Sequence, residues 1–116
     1  MIKKIGIDIV QNKRIRKKID NLPFLMRILS IEEKQNFDQI TSMKRKVEYC
    51  AGRFASKEAL FKALPQNLGP INYSDITVLN DENGSPYLIF DEIKEKIHLS
   101  ISHEAEYTVA IIIIEE

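Results

Sequence analysis

One stretch of this 116-residue chain gathers charges that ordinary packing does not require: Arg53, Lys57, Glu58 and Lys62 stand within ten residues of one another. At 100° per residue, Val47, Cys50, Ala51, Phe54 and Phe61 fall on one stripe of a helix, and Glu58 falls within that stripe. Tyr49, Leu60 and Leu64 occupy the far side, with Gly52, Ser56, Ala59 and Ala63 between them. The helix is therefore predicted to be mostly buried, with Glu58 at a site of low dielectric. A buried carboxylate needs a cation or strong donors, or it neutralises. Glu58 and Lys62 have the i,i+4 spacing of an ordinary helical ion pair, worth ~0.2–0.5 kcal/mol. That pairing leaves Arg53 and Lys57 unexplained, whereas three cations around one acid suit an anion site that shares a metal.

Asp8 is a second anomaly. It lies in an alternating segment where Ile5, Ile7 and Ile9 share one face and Gly6, Asp8 and Val10 share the other, and aspartate is disfavoured in strands. A lone strand aspartate is commonly an edge or turn residue. Paired with Glu58 it would suit Mg²⁺, which takes one or two protein carboxylates and completes its octahedron with phosphate and water. His103 closes a third stretch, Leu99–His103, on the face of Ile97, Leu99 and Ile101. A histidine at a strand end is ordinarily a surface or capping group. No nucleophile elbow, Walker loop, GxGxxG or CxxC accompanies these residues.

These residues need elements to hold them. A strand is predicted over Lys4–Val10, a short basic helix over 12–20 that ends before Pro23, and a helix from the capping box Ser30–Glu33 to about Ile40. The long helix runs from about Met43 to Leu64 and stops at Pro65. Strands follow at Ile76–Leu79 and Tyr87–Phe90, flanking the Asn83-Gly84 turn signal, and then at 97–102 and Tyr107–Ile114, which pair as a hairpin. This order predicts a single α+β domain, with helices packed on one face of a mainly antiparallel sheet.

The chain has no net charge, yet it is asymmetric. Residues 1–62 carry 15 Lys and Arg against 7 Asp and Glu, while residues 63–116 carry 2 against 10. Lys13, Arg14, Arg16, Lys17 and Lys18 are the densest basic cluster, opposed locally only by Asp20. Such a cluster attracts nucleic acid, a phosphate ligand or an acidic protein, unless it is simply a solvated face. The longest apolar run, Val109–Ile114, is far short of the ~20 residues that span a bilayer. Its isoleucines belong to the core or to an interface. Met1–Ile5 lacks the features of a signal peptide, and the lone Cys50 can form no internal disulfide. These features predict a reduced, cytoplasmic protein.

Three stretches together resemble the motifs of the 4′-phosphopantetheinyl transferases: Ile5–Val10 (IGIDIV), Gly52–Lys62 (GRFASKEALFK) and Leu99–His103 (LSISH). The small size, Arg27–Ser30 before a Glu-rich helix start, and Asn80–Pro86 resemble the holo-acyl-carrier-protein synthase branch. The likeness spans Lys4 to about Ile114. It implies transfer of 4′-phosphopantetheine from coenzyme A to a serine of apo-acyl carrier protein, in support of fatty acid or lipid biosynthesis. It further implies that Asp8 and Glu58 bind Mg²⁺ and that Lys62 sits at the phosphate oxygens. Arg53, Lys57 and His103 would hold anionic parts of coenzyme A, and Glu58 would be the candidate base. The basic segment would grip the acidic carrier through Arg14, Arg16, Lys17, Lys18, Arg27 and Arg45. Members of this length are typically trimers, with coenzyme A in clefts between subunits.

Gln11 departs from a glutamate common at its position, Pro65–Gly69 from a more glycine-rich turn, and Ser85 from a common lysine. Two rivals stand beside this expectation: a non-catalytic module that binds coenzyme A or an acidic protein, and a nucleic-acid-binding domain using residues 13–18. The second lacks any recognised nucleic-acid motif, and the acidic second half disfavours a wide footprint.

Overall fold

The computed structural model describes residues 1–116. Strand β1 (Ile2–Gln11) leads through α1 (Asn12–Arg16), α2 (Leu22–Ile28) and α3 (Ile31–Asp38) to the long helix α4 (Met43–Ala63). Strands β2 (Thr77–Asn80), β3 (Pro86–Ile89), β4 (Lys96–His103) and β5 (Tyr107–Glu115) complete the chain. The predicted α+β architecture is present, divided into a three-stranded antiparallel sheet ordered β1-β5-β4 and a separate hairpin of β2 and β3. No helix is long and apolar enough to cross a membrane.

The predicted basic helix over 12–20 is shorter, because turns replace it after Arg16, and α2 is an additional helix that the sequence pattern does not predict. Pro23 opens α2 instead of marking a stop. It lies in the first turn, where a missing N–H costs nothing, and the Asn21 side chain accepts from the Phe24 N–H at 3.0 Å. The predicted capping box at Ser30 and Glu33 forms. Asn83-Gly84 makes the predicted turn, with Gly84 at φ +84° and Asp81 accepting from the Asn83 and Ser85 N–H groups.

Alternation along β1 divides the large sheet into two faces. Gly6, Asp8 and Val10 point toward α4 together with Ala110, Ile112 and Ile114 of β5, and the last three are buried. Ile5, Ile7 and Ile9 lie on the opposite face, each more than half exposed, beside Val109, Ile111 and Ile113. The isoleucine run of β5 alternates in the same way: Ile112 and Ile114 enter the core, and Ile111 and Ile113 lie on the uncovered face.

Helix α4 lies directly on β1 at Gly6. A Cβ built there would fall 1.9 Å from the Ala59 carbonyl oxygen and 3.2 Å from the Ala63 Cβ. Only backbone movement could relieve such an overlap. Gly6→Ala is therefore expected to cost about 3 kcal/mol in chemical denaturation and to displace α4 from the strand that carries Asp8. A loss below about 1 kcal/mol would show that the two elements are not in this contact.

Candidate functional site

Close packing of α4 on β1 brings Asp8 and Glu58, fifty residues apart, to one cavity of about 310 Å³. Arg14, Lys18, Phe24 and Phe54 line it with them. Lys62 reaches across from the next turn of α4. Its Nζ donates to Asp8 Oδ1 at 3.0 Å and to the Ile7 carbonyl at 2.9 Å. The i,i+4 pair of Glu58 with Lys62 is not formed, because Asp8 on the neighbouring strand takes the ammonium. Nor is Glu58 buried as its place on the apolar stripe predicted. It is half-buried at the cavity wall and accepts from the Tyr73 hydroxyl at 2.7 Å.

Tyr73 carries no sequence signal of its own, since it lies in a 3-10 turn (Tyr73–Asp75) outside every motif. Its ring stacks on Phe54 at 5.7 Å and meets Phe61 edge-on at 5.0 Å. Burial, and then the bond to Glu58, push its phenol up to about 12. It thus remains a proton donor to Glu58 across the neutral range.

Lys57 departs most from expectation. It does not face a ligand, being fully buried with Glu33. Its Nζ donates to Glu33 Oε1 at 2.6 Å, to the Ile28 carbonyl at 2.8 Å and to the Tyr73 carbonyl at 2.9 Å. Glu33 also accepts from the Ser30 N–H at 2.8 Å and the Val78 N–H at 2.7 Å. Burial lowers the pKa of this ammonium, and the Glu33 carboxylate opposes that shift. Every donor of Lys57 is spent on the protein, so the expectation that it holds coenzyme A is corrected: it fastens α2, α3, α4 and the Tyr73 turn together.

Arg53 and His103 face a different opening. With Arg45, Tyr49, Asn80, Gly84 and other residues they line a cleft of about 800 Å³, which shares no lining residue with the Asp8–Glu58 cavity. Arg53 lies over the Tyr49 ring, 3.8 Å from its centroid. It donates to Asn80 Oδ1 at 2.6 Å and to the Val78 carbonyl at 3.3 Å. Burial lowers its pKa, but a guanidinium remains charged in any case. His103 packs against Gly52 of α4, its Cε1 3.5 Å from where a Cβ would stand.

The basic residues divide likewise. Arg14 and Lys18 border the Asp8–Glu58 cavity, and Lys18 and Arg27 approach the Phe24 ring at 5.1 and 5.8 Å. Arg16 faces a smaller hollow with Lys13 and Lys44, Lys17 is exposed, and Arg45 belongs to the His103 cleft. Cys50 is no nucleophile: it is buried, and desolvation pushes its thiol up to about 12.

A strand aspartate and a helix glutamate thus meet among basic side chains at one cavity wall, with oxygen donors only. A profile described as 4′-phosphopantetheinyl transferase superfamily matches residues 4–112. The holo-[acyl-carrier-protein] synthase of Anoxybacillus flavithermus is 48% identical over 117 residues, covering 99% of this chain and 97% of its own. That of Geobacillus sp. strain WCH70 is 47% identical, with coverage of 99% and 98%. A holo-(acyl-carrier-protein) synthase from Bacillus anthracis, solved in complex with CoA (3′,5′-ADP), superposes with a TM-score of 0.89 at 41% identity, covering 99% of this chain and 97% of that one. The chain belongs to the 4′-phosphopantetheinyl transferase superfamily, within its holo-[acyl-carrier-protein] synthase family.

Proposed function

We propose that this protein transfers 4′-phosphopantetheine from coenzyme A to a serine of apo-acyl carrier protein, releasing adenosine 3′,5′-bisphosphate. The observation that carries the proposal is the cavity in which Asp8 and Glu58 meet beside Arg14 and Lys18, in a chain of this family. Incubation with coenzyme A, Mg²⁺ and apo-carrier is expected to add the mass of phosphopantetheine to the carrier. Binding of coenzyme A with no mass gain would establish the non-catalytic alternative instead.

The residues present fit Mg²⁺. Lys62 occupies Asp8 Oδ1 and Tyr73 occupies Glu58 Oε1, which leaves Asp8 Oδ2 and Glu58 Oε2 free of partners within the chain. No cluster of three or more His, Cys, Asp or Glu gathers here. Two carboxylates are a suitable complement for a cation that keeps water and phosphate as its remaining ligands. When bound, Mg²⁺ would neutralise charge on the pyrophosphate and align it for in-line displacement. Asp8 and Glu58 would hold it.

Lys62 then has work beyond Asp8. Its side chain is 55% exposed, so the ammonium can turn from Asp8 to the departing phosphate oxygens. The serine oxygen forms the new bond to phosphorus as the bond to adenosine bisphosphate breaks. Glu58, directly or through a water, takes the serine proton.

The separation of the two openings supports a site completed between subunits of a trimer. Ile5, Ile7 and Ile9, with Val109, Ile111 and Ile113 beside them, form an uncovered apolar sheet face suited to burial against other copies. Such an assembly would set the Arg53–His103 cleft of one copy beside the Asp8–Glu58 cavity of its neighbour. A monomer in sedimentation equilibrium would overturn it.

Arg14 and Lys18 line the cavity and Arg27 lies against its Phe24 wall, with the exposed Lys17 adjoining Lys18 in the chain; an acidic carrier would present its serine there. Reversing Arg14 and Lys17 to Glu is expected to raise the KM for carrier roughly tenfold and to leave the KM for coenzyme A nearly unchanged. The carrier KM of the unmodified protein should rise with salt. Equal effects on both substrates would remove the docking role. The reaction so described belongs in the cytoplasm, where carrier and coenzyme A meet.

A further inference from the structure

Glu58 stands one helical turn before Lys62 and does not pair with it. Asp8 takes the ammonium, and a residue that the steps above do not use takes the carboxylate. Phe54, Glu58 and Phe61 occupy positions i−4, i and i+3 on one face of α4. The Tyr73 ring lies across that face, stacked on Phe54 at 5.7 Å and edge-on to Phe61 at 5.0 Å. These two contacts, before and after Glu58 in the helix, fix where the phenol ends. Its hydroxyl donates to Glu58 Oε1 at 2.7 Å.

The backbone of Tyr73 is held as well as its ring. Its carbonyl accepts from the buried Lys57 Nζ at 2.9 Å and from the Ile76 N–H at 3.1 Å. Asn72 and Asp75 close the same turn reciprocally. The Asn72 N–H donates to Asp75 Oδ2 at 3.1 Å, and the Asp75 N–H donates to the Asn72 carbonyl at 3.0 Å. Glu58, by contrast, has a long and flexible side chain, with Arg14 and Lys18 on the same cavity wall and Lys62 one turn away. A hydroxyl bond to a carboxylate is among the stronger hydrogen bonds, and this donor is already ordered by its own packing. We infer that Tyr73 is a positioning residue, which holds Glu58 by Oε1, keeps it from Lys62 and leaves Oε2 as the oxygen offered to a divalent cation. The buried Lys57 thereby supports the site from behind, since it fastens the carbonyl of the residue that orients Glu58. The step from orientation to cation rests on the reading of Asp8 and Glu58 as the pair that holds the metal.

Tyr73→Phe removes the hydroxyl and keeps both ring contacts, so Tm should change by less than about 3 °C. Mn²⁺ binding to the intact protein without carrier, followed by loss of the free-ion electron paramagnetic resonance signal, is the first readout. Its dissociation constant is expected to rise about 3- to 10-fold in Tyr73→Phe, the worth of one hydrogen bond. Transfer at limiting Mg²⁺ should fall by a similar factor and recover at saturating Mg²⁺. A purely structural role would lower Tm without moving the Mn²⁺ affinity. If Glu58→Gln weakens Mn²⁺ binding while Tyr73→Phe binds it as the wild type does, the positioning role is overturned. Equal binding by all three proteins overturns the metal reading instead. Crystal structures without metal report the orientation alone: Glu58 in Tyr73→Phe is expected to turn to Lys62, and an unmoved Glu58 refutes the inference whatever the site binds. Wild-type crystals soaked in Mn²⁺ give a readout even if the variant does not fold. An ion on Glu58 Oε2 with the Tyr73 bond kept upholds the inference, and a Tyr73 hydroxyl released from Glu58 overturns it.

Discussion

Lys57→Met is expected to destabilise the protein by about 3–5 kcal/mol, the cost of removing one member of a buried ion pair, and to lower Tm by more than about 10 °C. The methionine retains the volume of the side chain but leaves the Glu33 carboxylate fully buried without its cation. It also strips the Ile28 and Tyr73 carbonyls of their donor. Glu33 would keep the Ser30 and Val78 N–H groups, too little to replace an ammonium at zero exposure. Adding Glu33→Gln to Lys57→Met should recover part of the loss, because glutamine can retain a bond from a backbone N–H while the unpaired charge disappears. Thermal denaturation of the wild type, both single variants and the double variant measures this coupling directly. If Lys57 instead held coenzyme A, Lys57→Met would leave Tm nearly unchanged and raise the KM for coenzyme A. That result would overturn the structural assignment.

The second large effect concerns chemistry rather than stability. Asp8→Asn and Glu58→Gln are each expected to lower kcat/KM for phosphopantetheine transfer by roughly 10²–10³-fold, equivalent to ~3–4 kcal/mol of lost transition-state stabilisation. Both substitutions preserve shape, and the amide oxygen introduced by Glu58→Gln could still accept the Tyr73 hydroxyl bond, so Tm should change little. The Mg²⁺ concentration giving half-maximal activity should rise in both variants. The double variant should lose little beyond the worse single one, because two residues serving one ion fail together. Activity within about tenfold of wild type in both single variants would show that this carboxylate pair does not hold the metal. Fluorescence-monitored or calorimetric Mg²⁺ binding, without turnover, separates lost metal affinity from a lost base. A Glu58→Gln protein that binds Mg²⁺ normally but transfers poorly would assign Glu58 to the proton rather than the ion.

Local pattern makes several features legible without the fold. The period-two alternation of residues 4–10 assigns Ile5, Ile7 and Ile9 to one face and Asp8 to the other, and the structure keeps that division. Ser30 and Glu33 announce a capping box because both partners lie within one helical turn. The boundaries of α4 follow from its periodicity and from Pro65. The three motifs carry the family, and with it the expectation that Asp8 and Glu58 belong to one site.

Pairing of Lys57 and Lys62 is not legible, since the carboxylate each one meets is distant in sequence. Spacing offers Lys62 to Glu58 four residues away, yet Lys62 bonds Asp8, 54 residues away. Neighbouring helix positions differ by 100°, so Lys57 and Glu58 cannot share an environment. Only the packing of α2, α3 and the Tyr73 turn determines that Lys57 enters the core and Glu58 the cavity wall. Pro23 misleads for a related reason, because a proline closes one helix and opens another with equal ease, and the Asn21 cap decides which. The sequence by itself thus determined the elements, their apolar faces and the family of the chain. Tertiary packing decided which cation meets which carboxylate at the site and how the basic residues divide between two openings, because desolvation and long-range hydrogen bonds outweigh the weak preferences of sequence neighbours.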